Sequence, residues 1–224
     1  MSSHNGFPPD FDAGEIEIIR AVGPYTMTST ERIHALIGAV KHVVRNRIPG
    51  DMVECGVWKG GSVMAMALAL QQLGDQHRSL FLFDTFSGMT QPTERDVDYQ
   101  GQQAETILDD VRCEASLQEV EAAVLSTGYP RDQVHFVKGP VEETIPVHAP
   151  GSIALLRLDT DWYESTQHEL RHLFPRLARG GVVIIDDYGH WRGARQAVDE
   201  YVVENQIPLL LHRIDYTGRI GVKL

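Results

Sequence analysis

Cysteine is nearly missing from this chain: two among 224 residues, Cys55 and Cys113. That excludes a disulfide scaffold and a zinc site built on thiolates. Long apolar runs are missing too; none approaches the ~18 residues that a membrane-crossing helix needs. Positive charge is scarce, with 20 Lys and Arg against 31 Asp and Glu and a formal net charge of −11. A surface so acidic repels phosphate backbones, which argues against general nucleic-acid binding. The opening stretch MSSHNGFPPDFDAGE is polar and acidic and lacks a signal-peptide pattern. The expectation is a cytoplasmic protein with neither membrane nor nucleic acid as partner. What is present is a 42% apolar share, too high for disorder and enough for one sizeable core.

Residues 1–27 are rich in Pro, Gly and Asp. They are expected to form an arm over the domain, with a short helix near 15–22. Thr28, Ser29 and Thr30 cluster helix N-cap residues. Behind them Ile33, Leu36, Ile37, Val40, Val43 and Val44 recur at helical spacing, and Pro49-Gly50 ends that helix. From there strand-like and helical patterns alternate. Strands are expected at 52–56, 80–83, 134–137, 153–158 and 182–185. Helices are expected at 62–73, 104–112, 116–126, 164–178 and 195–203. A closing pair of strands, 208–213 and 219–224, flanks Asp215-Tyr216-Thr217-Gly218, which reads as a hairpin turn. Such alternation predicts an α/β fold, a mainly parallel sheet covered on both faces. The organisation is a single domain over 28–224 with an insertion around 90–130.

Polar residues gather just after the strands: Glu54 and Gly56, Asp84, Gly139 and Glu142, Asp159 and Asp161, Asp186 and Asp187. In open α/β sheets, ligands sit outside the carboxyl ends of the strands. Five strand ends therefore aim chemistry at one crevice. The loop Glu54-Cys55-Gly56-Val57-Trp58-Lys59-Gly60-Gly61-Ser62 joins strand to helix. Set against a G-x-G-x-x-G fingerprint, it puts Glu54 at the first glycine position and Lys59 at the third. A pyrophosphate would meet a carboxylate there. A cationic ligand such as S-adenosylmethionine (SAM) suits it better, although an ordinary tight turn fits the same residues. Asp84, about 28 residues beyond Gly56 by count, suits ribose hydroxyls or an Asx-turn.

Asp159 and Asp161 follow one apolar run, Asp186 and Asp187 another. Carboxylates packed together repel unless a cation compensates. An oxygen-only set favours a hard ion such as Mg²⁺ over zinc. Asp161, two residues beyond Asp159, is left free to act as a base. Separate helix capping by each aspartate is the plainer alternative. His190 follows the aspartate pair and is within reach of the site. His168 and His172 are four apart on an ordinary covering helix, and Cys55 reads as a small buried residue. Trp58, Trp162, Tyr163 and Trp191 fit either a ligand wall or the core.

Taken together, VECGVWKGGS, LFDTFSGM, LRLDTDWYEST and IIDDYGHWRGARQAVDEY resemble the macrocin O-methyltransferase (TylF) family, and PYTMTSTER is similar to that family's N-terminal segment. The resemblance spans about residues 25–201. It implies a Rossmann-like class I SAM methyltransferase fold, a mostly parallel seven-stranded sheet with a C-terminal antiparallel hairpin. It implies SAM and Mg²⁺ as cofactors and a homodimer or larger assembly. The implied acceptor is a small-molecule glycoside, methylated on a sugar hydroxyl as in antibiotic biosynthesis. A catechol or other phenol is the alternative acceptor. By motif, Asp159, Asp186 and Asp187 become metal ligands and Asp161 the general base. Glu54 and Gly56 lie near the methionine part of SAM, Asp84 on its ribose, and Gly139, Val141 and Glu142 along its adenine. Ser87 and Asp159 also fall at the cofactor, and Met27 and Thr28 help close it. The acceptor pocket is expected from residues 91–101 and the N-terminal arm. Two rivals weaken on the same residues. A non-catalytic SAM- or nucleotide-binding module does not need four aspartates at two strand ends, and a metal-dependent hydrolase does not need the Glu54 loop.

Overall fold

A computed structural model describes residues 6–110 and 113–224. Its sheet is built from β1 (Asp51–Cys55), β2 (Leu80–Asp84), β3 (Val134–Lys138), β4 (Ile153–Leu158), β5 (Leu177–Ile185), β6 (His212–Arg213) and β7 (Arg219–Val222). The order across the sheet is β3-β2-β1-β4-β5-β7-β6. The pairs from β3 to β5 are parallel, and β7 joins β5 and β6 antiparallel. The expected mostly parallel seven-stranded sheet with an antiparallel C-terminal hairpin is what forms.

Alternation along each strand feeds two cores. Met52, Leu80, Leu82, Leu155, Val182 and Ile184 face one side, under α1 (Ala13–Val22), α2 (Thr30–Arg45), α3 (Gly61–Gln72) and α4 (Leu117–Leu125). Val53, Cys55, Phe83, Leu156, Val183 and Ile185 face the other, with α5 (Val141–Thr144), α6 (Tyr163–Leu173) and α7 (Arg192–Glu204). Both faces of a parallel sheet must be covered, which explains the near-continuous apolar strands.

The N-terminal segment does more than lie over the domain. Asp12 caps α1 in a reciprocal pair with Glu15, and Ile18, Ile19 and Val22 are buried in the core. Ser29 caps α2 through the amide of Arg32, 3.2 Å away. The helix expected over 164–178 stops earlier. α6 gives way to a 3-10 turn at Phe174–Arg176, because Pro175 cannot donate an amide to continue it. Gly180-Gly181 therefore lies inside β5, where the register to β4 slips, and does not end a helix. The insertion holds a 3-10 helix, Ala104–Asp110; the end of the helix expected over 104–112 lies outside the described residues, as do residues 1–5. Of the expected strand at 208–213, only His212–Arg213 pairs. Among the described residues no helix is long and apolar enough to cross a membrane.

Candidate active site

Strands run outward from β1 and β4 in opposite chain directions, so the crevice at their carboxyl ends is the topological switch point. A cleft of about 230 Å³ opens there. Met27, Thr28, Glu54, Gly56, Asp84, Gly139, Val141, Glu142, Asp159, Asp161, Asp186 and Asp187 all line it. Ser87 does not; it is exposed, and its amide donates to Thr85 Oγ1 at 3.2 Å. The turn after Asp84 curls away from the cleft at that point.

Gly56 has φ +78, and a Cβ there would collide with the Asp159 carbonyl. The glycine thus lets the β1 and β4 ends close against each other. Asp84 fixes the rest of the loop. Its Oδ2 accepts from the amides of Val57 at 2.6 Å and Trp58 at 3.1 Å, and its Oδ1 from the amide of Phe86 at 2.7 Å. The Asx-turn anticipated as an alternative is present, and the carboxylate also fastens the glycine loop to β2.

The centre of the cleft floor is a charge that the sequence reading passed over. Arg157 stands opposite Glu54 across the β1–β4 register. Both are about 1% exposed, which for two charges demands pairing. Arg157 Nη1 donates to Glu54 Oε1 and, at 2.6 Å, to Asp159 Oδ2. Its Nη2 donates to Asp186 Oδ1 at 2.6 Å and to Thr28 Oγ1 at 3.2 Å. Arg32, also unforeseen, donates to Asp186 Oδ2 and reaches Asp215 at 3.0 Å. The signal for Arg157 was available: a single arginine inside the apolar run IALLRL. Buried Glu169 was also missed; its Oε1 accepts from Thr160 Oγ1 at 3.0 Å.

The expected ligand set was Asp159, Asp186 and Asp187, with Asp161 outside it. The structure groups Asp159, Asp161 and Asp187, each with a carboxylate oxygen within 4.8 Å of the others. Neighbouring residues at a strand end point opposite ways, so Asp186 turns to the two arginines while Asp187 faces Asp161. Asp161 has φ +66, a strained conformation for this residue. That backbone turn coincides with its carboxylate joining the cluster. Cys113 and Trp58 are two further left-handed residues on the cleft wall.

Their surroundings raise the pKa of these acids. Burial raises Asp161 to about 8, and Asp159 adds to the rise. Burial raises Asp159 to about 6 although Arg157 opposes it, and Asp186 likewise to about 6. Asp187 is pushed well above the ordinary carboxylate range by burial and then by the charge of Asp161. Glu54 rises to about 8, burial outweighing Arg157. The carboxylates of Asp161 and Asp187 face each other at close range, which disfavours charge on both at once. Asp187 Oδ2 and Glu54 Oε2 are buried without a partner. An orphaned oxygen within an oxygen-only cluster fits a hard divalent ion. An orphaned carboxylate oxygen beside a glycine loop fits the ammonium and sulfonium of SAM. The thiol of Cys113, raised to about 11 chiefly by burial, is no nucleophile. His168 packs at a tilt against His172 and bonds the Ile145 carbonyl, away from the cleft.

A model of the macrocin-O-methyltransferase (TylF) family matches residues 20–220. The chain is 37% identical, over 87% of its length and 74% of the relative's, to the 8-demethyl-8-(2,3-dimethoxy-alpha-L-rhamnosyl)-tetracenomycin-C 4'-O-methyltransferase of Streptomyces olivaceus. It is 32% identical, with the same coverage, to the demethyldecarbamoylnovobiocin O-methyltransferase of Streptomyces niveus. Among solved structures it is similar to the O-methyltransferase NovP, with TM-score 0.79, 30% identity, and 92% of this chain and 88% of that one covered. The switch-point cleft, its acidic glycine loop and the extent of these matches lead to one assignment: this chain belongs to the macrocin O-methyltransferase (TylF) family and is a SAM-dependent O-methyltransferase.

Proposed function

We propose that the enzyme methylates a sugar hydroxyl of a glycosylated small molecule with the help of a divalent cation, Mg²⁺ first among candidates. The observation that carries this reading is the cluster of Asp159, Asp161 and Asp187 in the same cleft as the Glu54 loop. Relatives named for methylating rhamnosyl tetracenomycin and mycinamicin III support the acceptor class.

Each residue then has defined work. Glu54 Oε2, free of any partner, would accept from the ammonium of SAM, while Arg157 keeps the other oxygen in place. Asp159 and Asp187 belong both to the ligand set that the family resemblance implies and to the set grouped in the structure, and would hold the cation. Asp186 anchors the two arginines. A bound divalent cation lowers the pKa of a coordinated hydroxyl. Beside a bound cation the Asp161 carboxylate would be stabilised in its charged form, and Asp161 would take the acceptor's proton. The remaining rate enhancement comes from fixing donor and acceptor in one cleft.

The test is incubation with SAM, Mg²⁺ and methyl α-L-rhamnoside, read by mass spectrometry. One added methyl is expected, abolished by chelator. Asp161→Asn is expected to cut kcat roughly 100-fold or more, in line with loss of a general base, while binding of S-adenosylhomocysteine persists. Transfer undiminished by chelator, or by Asp161→Asn, overturns the mechanism. Transfer to a catechol but to no glycoside overturns the acceptor class.

A further inference from the structure

Among the described residues, the exposed aromatic side chains are Tyr99, at 51%, and Tyr216, at 59%. They come from the insertion loop and the β6–β7 turn, far apart in sequence, yet their rings meet with centroids 6.4 Å apart. Both contact the imidazole of His190, at 5.5 Å and 6.0 Å between centroids. Tyr216 Oη lies 3.3 Å from His190 Nδ1. Two large exposed rings converging on one histidine are unusual on a surface whose apolar side chains otherwise scatter.

The trio is fastened to the cleft. His190 donates its amide to the Asp187 carbonyl at 3.0 Å. Thr217, next to Tyr216, donates Oγ1 to the Asp186 carbonyl at 2.8 Å, and the Gly189 amide donates to the Thr217 carbonyl at 2.9 Å. A Cβ at Gly189 would strike the Tyr216 carbonyl, so the hairpin turn is seated directly on the chain leaving β5. Tyr99 is held from the other side. Asp98 pairs with Trp191 in a β-bridge, and Arg192 Nη2 donates to the Tyr99 carbonyl at 3.2 Å. The two tyrosine rings are therefore exposed, while the backbone that carries the trio is hydrogen-bonded to the chain leaving β5.

We propose that Tyr99, His190 and Tyr216 form an acceptor subsite that stacks on the planar, unsaturated aglycone of the glycoside. This rests on the function proposed above. The three rings stand outside the lining of the cleft, beside turns bonded to the backbone of Asp186 and Asp187, where the aglycone of a sugar held at Asp161 would project. Aromatic rings recognise flat π-systems by offset or edge contacts, at low entropic cost for tyrosine.

The test compares KM for 4-nitrophenyl and methyl α-L-rhamnoside in the wild type, Tyr99→Ala, Tyr216→Ala and Tyr99→Phe. The wild type is expected to favour the aryl glycoside. Each alanine variant should lose roughly tenfold of that preference, as expected for loss of an aromatic pair and its area, and Tyr99→Phe should keep it. Affinity for S-adenosylhomocysteine, measured by calorimetry, and the melting temperature should not move. A preference unchanged in both alanine variants overturns the subsite. An equal rise in KM for both glycosides also overturns it, because the rings then hold the sugar. If wild-type enzyme turns over neither glycoside, the sugar reading falls and the subsite falls with it; turnover without discrimination sinks the subsite alone.

Discussion

Asp84 and Asp187 each stand at the carboxyl end of a parallel strand in the same sheet, and their circumstances are opposite. Asp84 accepts from three backbone amides and locks the glycine loop to β2. Asp187 faces Asp161, is forced up in pKa, and keeps a buried oxygen with no donor. Asp84 is thus satisfied within the chain and Asp187 is not; Glu54, beside the glycine loop, also keeps a buried oxygen without a partner. Strand-end aspartates alone do not mark a ligand site; an unmatched one does. Arg157 lies between the two halves of the cleft, the glycine-loop side and the acidic side, and touches both, through Glu54 on one side and Asp159 and Asp186 on the other.

Removing that bridge should do the most damage. Arg157→Leu leaves Glu54 and Asp159 without their cation and Asp186 with Arg32 alone, and breaking such a buried pair costs about 3–5 kcal/mol. Urea unfolding checks this; a midpoint equal to wild type would mean the halves do not depend on each other. Asp84→Ala tests the glycine-loop side. Three amides lose their acceptor, a cost of about 1–3 kcal/mol, and affinity for S-adenosylhomocysteine should fall as the loop loosens, while Mg²⁺ binding persists. Both losses together would show that the halves are not separable. The smallest effect is remote from the cleft. Asp12→Ala removes the α1 cap, with a loss of about 1 kcal/mol. Lys41 holds Asp12 below its ordinary pKa, so its contribution is present above that value and disappears as pH falls through the depressed one. An acid titration of melting temperature on the wild type and the variant checks that sign.

Much of this was legible in the chain. Apolar runs ending in acids gave the strands and placed Glu54, Asp159, Asp161 and Asp187 in one crevice, because topology carries every parallel strand's carboxyl end to the same edge. What stayed hidden depended on register and local backbone. Arg157 sits opposite Glu54 only through the β1–β4 pairing. The exchange of Asp186 for Asp161 in the cluster follows strand alternation and one left-handed residue, which residue spacing does not encode. The boundary of α6 was misread because Gly180-Gly181 resembled a helix stop, when Pro175 had already ended it. The aromatic trio joins segments more than a hundred residues apart from Tyr99 to Tyr216, a contact no local pattern announces.

The central claim is that the acidic half grips a divalent ion. Asp159 and Asp186 titrate near about 6 and Asp161 and Glu54 near about 8 without it. These values are raised, so the cation-free fold binds more protons than the unfolded chain, and its stability should decline as pH rises through that window. Calorimetric titration of Mg²⁺ into the protein with S-adenosylhomocysteine, at about pH 8 and about pH 5.5, measures the claim directly. The account predicts saturable single-site binding that is tighter at the higher pH and absent in Asp187→Asn. No binding in the wild type, or equal binding in Asp187→Asn, would contradict it.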